Sequence, residues 1–370
     1  MDVDVLIVGA GPAGSTVARF CAGRGVDVLM IDRRSEIGHP VQCGELLPHT
    51  EEMYSIFPKG ADLEELFTVD ASLVAGESEH VDMVSPRGRT YRSEFRSHVL
   101  DRRSFDKHLA KLAVEAGARL ETRASFLGLR DGVARTTLGD VKAKVIVGAD
   151  GPNSRTARQA GLGNPSEMYP AVACQAKGAF GTDVKMYFGS VAPGGYAWII
   201  PKGDGANIGV GFDQRILKEH PSEVFSRFVS GLGCKYSDVS MGFVPISGPL
   251  PRAVSGNVLL VGDAAGHVMA TNGGGIPTAM IGGRIAGRTI REHITGGLPL
   301  ERYEQRWRDV MGRPLMTALR ARRLADRVKR DMIEPPEGMS ALTTLLTPPS
   351  GNRSAIQEPC RKSLYHNVLS

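Results

Sequence analysis

The hydrophobic pattern opens with a β-branched run over residues 3–8, which predicts a buried strand. It leads straight into Gly9-Ala10-Gly11-Pro12-Ala13-Gly14, and apolar residues then recur with helical period over 15–22. A second strand is predicted over 26–31, ending at Asp32. Residues 66–100 alternate polar and apolar positions, as strands of a different sheet would. Over 104–116, Phe105, Leu109, Leu112 and Ala116 share one helical face, and Gly117 follows as a stop. Strands are predicted over 119–129 and 133–138, with Asp131-Gly132 as the hairpin turn between them, and a buried strand over 143–149. From 168 to 244 the pattern is strand-rich, interrupted by a helix over 221–231. A last buried strand, 257–261, runs into Gly262-Asp263, after which a glycine-rich stretch gives way to helix up to about residue 332. No internal repeat is visible.

Strand, GxGxxG and helix in that order form a dinucleotide fingerprint: Gly9 for the tight turn, Gly11 for approach of the backbone to a pyrophosphate, Gly14 for close helix–strand packing. The pyrophosphate then sits at a helix N-terminus, where free N–H groups and the dipole favour anions. Asp32, 18 residues after Gly14, stands where an acid grips the adenosine ribose. Arg33 beside it leaves open a 2′-phosphate in this site. The second glycine motif, Gly262-Asp263-Ala264-Ala265-Gly266, follows a strand of the same kind, and the pair points to a flavin dinucleotide. The expected fold class is α/β. A discontinuous Rossmann-type nucleotide domain is assigned to 1–65, 101–165 and 250–295, and a substrate domain built on an antiparallel sheet to 66–100 and 166–249. A C-terminal helical segment covers 296–332, and a tail without predicted structure covers 333–370.

At 370 residues the chain exceeds the roughly 250–300 at which single cores stop growing, in keeping with two domains. Its 42% hydrophobic and 23% charged residues are ordinary for a globular protein. No apolar run approaches the ~18–20 residues of a membrane span, and no charged leader precedes the first strand. Five cysteines without CxxC spacing suggest a reducing compartment, so a cytoplasmic location is expected and neither a disulfide framework nor a zinc site. The net charge of +5 is concentrated: residues 301–330 hold ten Lys or Arg against four acids. Leu315, Leu319, Leu324 and Val328 recur at helical spacing among them. This is either a solvated charged face that packs its leucines on the protein or a face drawn to an anionic membrane surface. Nucleic acid is not an expected partner, because the basic residues lack interleaved aromatics.

The motifs resemble those of the glutathione-reductase-type flavoproteins of the aromatic hydroxylase lineage. The N-terminal GxGxxG, Asp150-Gly151 within Gly148-Ala149-Asp150-Gly151-Pro152, and Gly262-Asp263 occur in the order of that lineage. The resemblance implies FAD, with Asp263 on the ribityl chain and Arg102 near the pyrophosphate. Two further segments resemble the geranylgeranyl reductases. One is Tyr196-x-Trp198-x-Ile200-Pro201, seven residues, then Gly209-x-Gly211, with Ile where Phe is usual. The other is Cys43-Gly44-Glu45, which in that family lies near the flavin ring, here with Gln42 where Arg is common. Asn272-Gly273-Gly274-Gly275-Ile276 resembles a segment that packs on flavin. The resemblance covers about residues 1–330.

What it implies is hydride transfer from reduced flavin to isolated C=C bonds of geranylgeranyl chains, on archaeal-type membrane glycerophospholipids or on a chlorophyll or quinone precursor. Tyr196 and Trp198 alternate on a strand, so both rings face one side and could floor an apolar cavity, their polar tips at its edge. Gly209 and Gly211 would admit a ligand or another backbone closely. Cys43, Glu45 or an ordered water are candidate proton sources. His39 and His267 read as structural hydrogen-bonding residues. No second GxGxxG offers a resident nicotinamide, so the electron donor is a transient NAD(P)H or a ferredoxin. Two other flavin chemistries share these motifs: a monooxygenase or halogenase, and electron transfer to quinone.

Overall fold

The structure is a computed structural model that describes residues 1–331, with side chains up to residue 326; the predicted tail and Val328 lie outside the described side chains. It consists of two eight-stranded sheets. The first is built on Asp2–Val8, which is buried on both faces and pairs in parallel with Val28–Asp32 on one side and Gly139–Gly148 on the other. Val258–Leu260 adds a further parallel strand beyond Gly139–Gly148, and Arg119–Thr122 one beyond Val28–Asp32. Parallel strands carry long crossovers that cover both faces, which is why Val28–Asp32 and Val258–Leu260 read as continuous apolar runs. Helices Pro12–Cys21 and Ile276–Gly296 pack against each other beside this sheet.

The second sheet runs, in spatial order, Lys235–Pro245, Met168–Lys177, Gly205–Gly211, Tyr196–Lys202, Val184–Tyr187, Val74–Val84, Thr90–Leu100, Leu46–Pro48. Apart from the parallel pair Val184–Tyr187/Val74–Val84, its strands are antiparallel. The chain therefore enters this sheet with Leu46–Pro48, earlier than the boundary at residue 66 placed from sequence. Three apolar or proline residues were too short a run to register as a strand there.

Local chemistry shifts other boundaries. The helix predicted over 104–116 spans Arg102–Glu115, because the Asp101 carboxylate accepts from the Arg103 and Ser104 amides (3.1 and 3.3 Å) and caps it two residues early. The predicted strand 119–129 divides into Arg119–Thr122 and Phe126–Arg130, parted by Arg123 at φ +57°. The first half joins the nucleotide sheet and the second forms a hairpin with Val133–Thr136, turned by Asp131-Gly132 with φ positive at both residues. On the basic helix Arg313–Asp331, Leu315 and Leu319 are buried, but Leu324 is 56% exposed, so its leucines do not all pack inward. No helix among the described residues is long and apolar enough to cross a membrane.

Candidate active site

One cavity of about 1620 Å³ is lined by residues of both sheets. It exceeds the roughly 300–1,000 Å³ of a pocket for one drug-sized ligand, so it has room for a cofactor and a substrate side by side.

The glycine turn forms its nucleotide end. Gly9 sits at φ +103°, and a Cβ there would lie 2.3 Å from the Ala149 carbonyl oxygen; a Cβ on Gly14 would lie 1.9 Å from the Gly9 carbonyl oxygen. Gly11 instead faces open space in the cavity wall, as the residue nearest a pyrophosphate should. Ala13 and the exposed Arg33 line the same end. The Asp32 carboxylate accepts from the Ala10 and Arg34 amides (2.9 and 2.8 Å), which fixes it at the wall with acceptor capacity left over.

Asp150 is differently employed. Its carboxylate accepts from Ser154 Oγ, the Arg155 amide and Thr156 (2.5–3.1 Å), so it braces the turn into helix Arg155–Gln159, while Gly151 at φ +82° lets the chain leave along the cavity wall. Arg102 faces the cavity with its guanidinium clamped bidentate on Asp106 at 2.9 Å.

Asp263 reaches the cavity from the turn after Val258–Leu260, and its carboxylate has no hydrogen-bond partner among the described residues. Burial pushes its carboxyl up to about 6, against the pull of Arg102. Gly262, at φ +61°, is covered by Ala13 and does not line the cavity. Gly274, Gly275 and Ile276 border it at the N-terminus of the 21-residue helix Ile276–Gly296. An unpartnered acid, a bare helix N-terminus and an open glycine turn on one wall fit FAD. A polyol would satisfy Asp263, and two phosphates the turn.

The loop Cys43-Gly44-Glu45 enters the cavity from the second sheet. Cys43 is a free thiol, raised by burial and so protonated at neutral pH; its Sγ accepts from the Glu45 amide at 3.2 Å. Glu45 adopts φ +66° and is fully buried. Its Oε2 accepts from Lys202 Nζ (2.6 Å), Asn207 Nδ2 (2.8 Å) and Gln175 Nε2 (3.2 Å). Asn207 also donates to the Cys43 carbonyl (2.9 Å) and accepts from the Trp198 indole N–H (2.7 Å). One buried amide thus ties the loop to the aromatic strand. Sequence reasoning missed Asn207, Lys202 and Gln175. The signal was present: Asn207 is a lone polar residue in the otherwise apolar strand Gly205–Gly211, and such a residue needs partners.

Tyr196 and Trp198 do share a face and line the cavity, their rings 5.9 Å apart. Their polar tips are bound inside the protein rather than left at an edge: Tyr196 Oη donates to the Asn272 carbonyl at 2.6 Å. Gly209 does not admit a ligand. Its missing Cβ would lie 2.2 Å from Trp198 Cζ2, so the indole occupies that space, and neither Gly209 nor Pro201 lines the cavity; Gly211 does. The His267 ring does not hydrogen-bond either: neither ring nitrogen has a partner among the described residues, the ring lies against Trp307 at 4.5 Å, and burial lowers it to about 3. Outside the cavity, Glu77 bridges His49 (2.9 Å) and His98 (2.7 Å), a group the sequence spacing hid.

Residues 2–205 match the FAD binding domain model, and residues 177–241 match the geranylgeranyl reductase catalytic domain. The chain is 36% identical over 348 residues to a digeranylgeranylglycerophospholipid reductase of Methanosarcina acetivorans, covering 85% of this chain and 83% of the relative. It is 33% identical over 359 residues to the one of Methanocaldococcus jannaschii, covering 90% and 88%. Among solved structures, a geranylgeranyl bacteriochlorophyll reductase-like protein of Thermoplasma acidophilum superposes with TM-score 0.78 at 29% identity, over 87% of each chain. A flavin-dependent brominase superposes with TM-score 0.68 at 19% identity, over 94% of this chain and 93% of its own, and so shares the fold alone. With its two matched domains and relatives aligned over most of their length, the chain belongs to the digeranylgeranylglycerophospholipid reductase family of FAD-dependent oxidoreductases.

Proposed function

We propose that the protein reduces isolated C=C bonds in geranylgeranyl chains of an archaeal-type membrane glycerophospholipid. The single observation behind this reading is the apolar continuation of the cofactor cavity, walled by Tyr196, Trp198, Phe188, Val81, Met83 and Phe95, directly beyond the Cys43-Gly44-Glu45 loop. A prenyl chain needs a long dry slot next to the cofactor, and an aromatic hydroxylase substrate does not. FAD, when bound, supplies the hydride. Gly9, Gly11, Ala13, Asp32, Arg33, Asp150, Gly151, Asp263 and the Gly274-Gly275-Ile276 turn would hold it, with Arg102 beside it.

The remaining work falls to the chain's own residues. An isolated alkene has no carbonyl to absorb charge, so a proton must be delivered to one of its carbons. Cys43 is the proton source in this reading, because its thiol keeps its proton and faces the cavity. Glu45, held by three donors on Oε2, fixes the loop instead of donating. The aromatic wall excludes water. NAD(P)H or a ferredoxin serves as electron donor, and the protein works in the cytoplasm at the inner membrane face without spanning it.

The test is mass spectrometry of geranylgeranyl glycerophospholipid after anaerobic incubation with dithionite-reduced protein. The lipid should gain two hydrogens per bond; an unchanged lipid overturns the substrate reading. Cys43→Ser should keep FAD and lose most turnover, whereas full turnover removes Cys43 from the chemistry.

A further inference from the structure

Residues that line the cavity and also stay exposed mark where it opens. Away from the nucleotide end these include Ile216, Phe243, Arg313 and Thr317. They come from three segments: the loop after strand Gly205–Gly211, the strand Lys235–Pro245, and the helix Arg313–Asp331. One knot gathers them. Arg322 of the helix lies 4.2 Å over the Tyr169 ring and donates to its hydroxyl. Tyr169 is paired in register with Val244 and donates to Asp213 at 3.0 Å, and Asp213 holds Arg215 at 2.7 Å.

These same segments are apolar on the outside. Ile216, Val239, Met241, Phe243, Met316 and Leu324 are 38–56% exposed, half of the twelve large apolar side chains left exposed among the described residues. Val239, Met241 and Phe243 alternate on one face of Lys235–Pro245, which is an edge strand among the described residues. A free edge with an exposed apolar face invites association, and patches of this kind mark interaction sites. On the helix, Arg313, Arg320 and Arg323 are exposed at helical spacing with Met316 and Leu324, and none of the three has an ion-pair partner among the described residues. The sequence continues with Arg327, Lys329 and Arg330.

We propose that this rim is the face on which the protein docks to an anionic bilayer, with the apolar side chains among the lipid chains and the arginines at the headgroups. The inference rests on the lipid-substrate reading above. It commits to a bilayer because the rim surrounds an opening: a prenyl chain can pass from the membrane core into the cavity without crossing water. Basic side chains beside large apolar ones on the exposed rim supply the two terms of interfacial binding, attraction to anionic headgroups and insertion of apolar area.

The experiment is co-sedimentation of the whole protein with vesicles of phosphatidylglycerol and phosphatidylcholine, against phosphatidylcholine alone. Binding should require the anionic lipid and weaken with salt. Arg320→Glu with Arg323→Glu should weaken it at least about thirty-fold, the loss expected for two surface charges. Met241→Asp with Leu324→Asp should weaken binding that survives at high salt. Both pairs should leave turnover of a detergent-dispersed short prenyl substrate unchanged and slow turnover of substrate embedded in vesicles. No sedimentation with anionic vesicles, or sedimentation indifferent to all four substitutions, overturns the proposal; capture of an acidic protein without vesicle binding would assign the rim to that partner instead. Sedimentation is read without turnover, so failure of the prenyl reading would show in the lipid mass and not here.

Discussion

Asn207→Leu removes the amide that joins the Cys43 loop to the aromatic strand while keeping the branched skeleton of the side chain. Three hydrogen bonds disappear: 2.7 Å from the Trp198 indole, 2.9 Å to the Cys43 carbonyl and 2.8 Å to Glu45. The Trp198 N–H and the Cys43 carbonyl lose their partner in a buried site, at about 1–3 kcal/mol for each group left unsatisfied. Glu45 keeps Lys202 and Gln175, so its loss is one charged bond of roughly 1.5–3 kcal/mol. The groups belong to one network and do not add, which makes a total of about 3–5 kcal/mol reasonable. Against a typical stability of about 5–15 kcal/mol the variant should still fold, with a clearly lowered melting temperature. FAD content should be unchanged, because Gly9–Gly14 and Asp263 follow strands of the other sheet. Turnover should suffer more than stability implies, since a displacement of about 1 Å at a reacting group can cost 10²-fold. The assay is kcat and KM alongside thermal melting and flavin content. A lowered melting temperature with unchanged kcat would refute the argument that Asn207 sets the Cys43 loop for chemistry.

Other consequences follow from single contacts. Gly209→Ala places a methyl 2.2 Å from Trp198 Cζ2, and the indole cannot yield without losing its bond to Asn207. We expect a cost of about 1–3 kcal/mol, changed tryptophan fluorescence and reduced kcat; an unperturbed spectrum contradicts this. Gly14→Ala sets a Cβ 1.9 Å from the Gly9 carbonyl oxygen, and the purified protein should be colourless. Asp263 gives a pH signature in the apoprotein. Its carboxyl is raised from 3.8 to about 6 by burial, so folding favours the neutral form. That contribution is complete below about pH 4 and lost as pH rises through about 6. Asp263→Asn should flatten this fall in thermal stability and weaken FAD retention; an unaltered pH profile sinks the assignment.

The nucleotide half was legible because its signals are local. The turn at Gly9–Gly14 demands glycine by contact with backbone, and continuous apolar runs mark strands buried on both faces. The resemblance put Cys43-Gly44-Glu45 beside the cofactor and strand alternation put Tyr196 and Trp198 on a cavity floor; all five line the one cavity. What was not legible depends on pairs far apart in sequence. Glu45 read as a possible acid because nothing nearby announced Lys202, 157 residues on. Gly209 read as a ligand approach because the Trp198 ring reaches it only through the pairing of Tyr196–Lys202 with Gly205–Gly211. Leu324 stood between packing on the protein and facing a membrane, because helical period alone cannot tell which stripe meets the protein. Leu46–Pro48 was hidden for the opposite reason: its strand identity comes entirely from its partner Thr90–Leu100.

The most direct test of the central claim is the absorbance of the flavin itself, followed without oxygen. The dithionite-reduced protein, mixed with a geranylgeranyl glycerophospholipid and no other acceptor, should recover its oxidised spectrum at the rate at which the lipid gains hydrogen. If the spectrum stays reduced until oxygen or a quinone is admitted, the protein is a monooxygenase or an electron-transfer flavoprotein, and its cavity does not serve prenyl reduction.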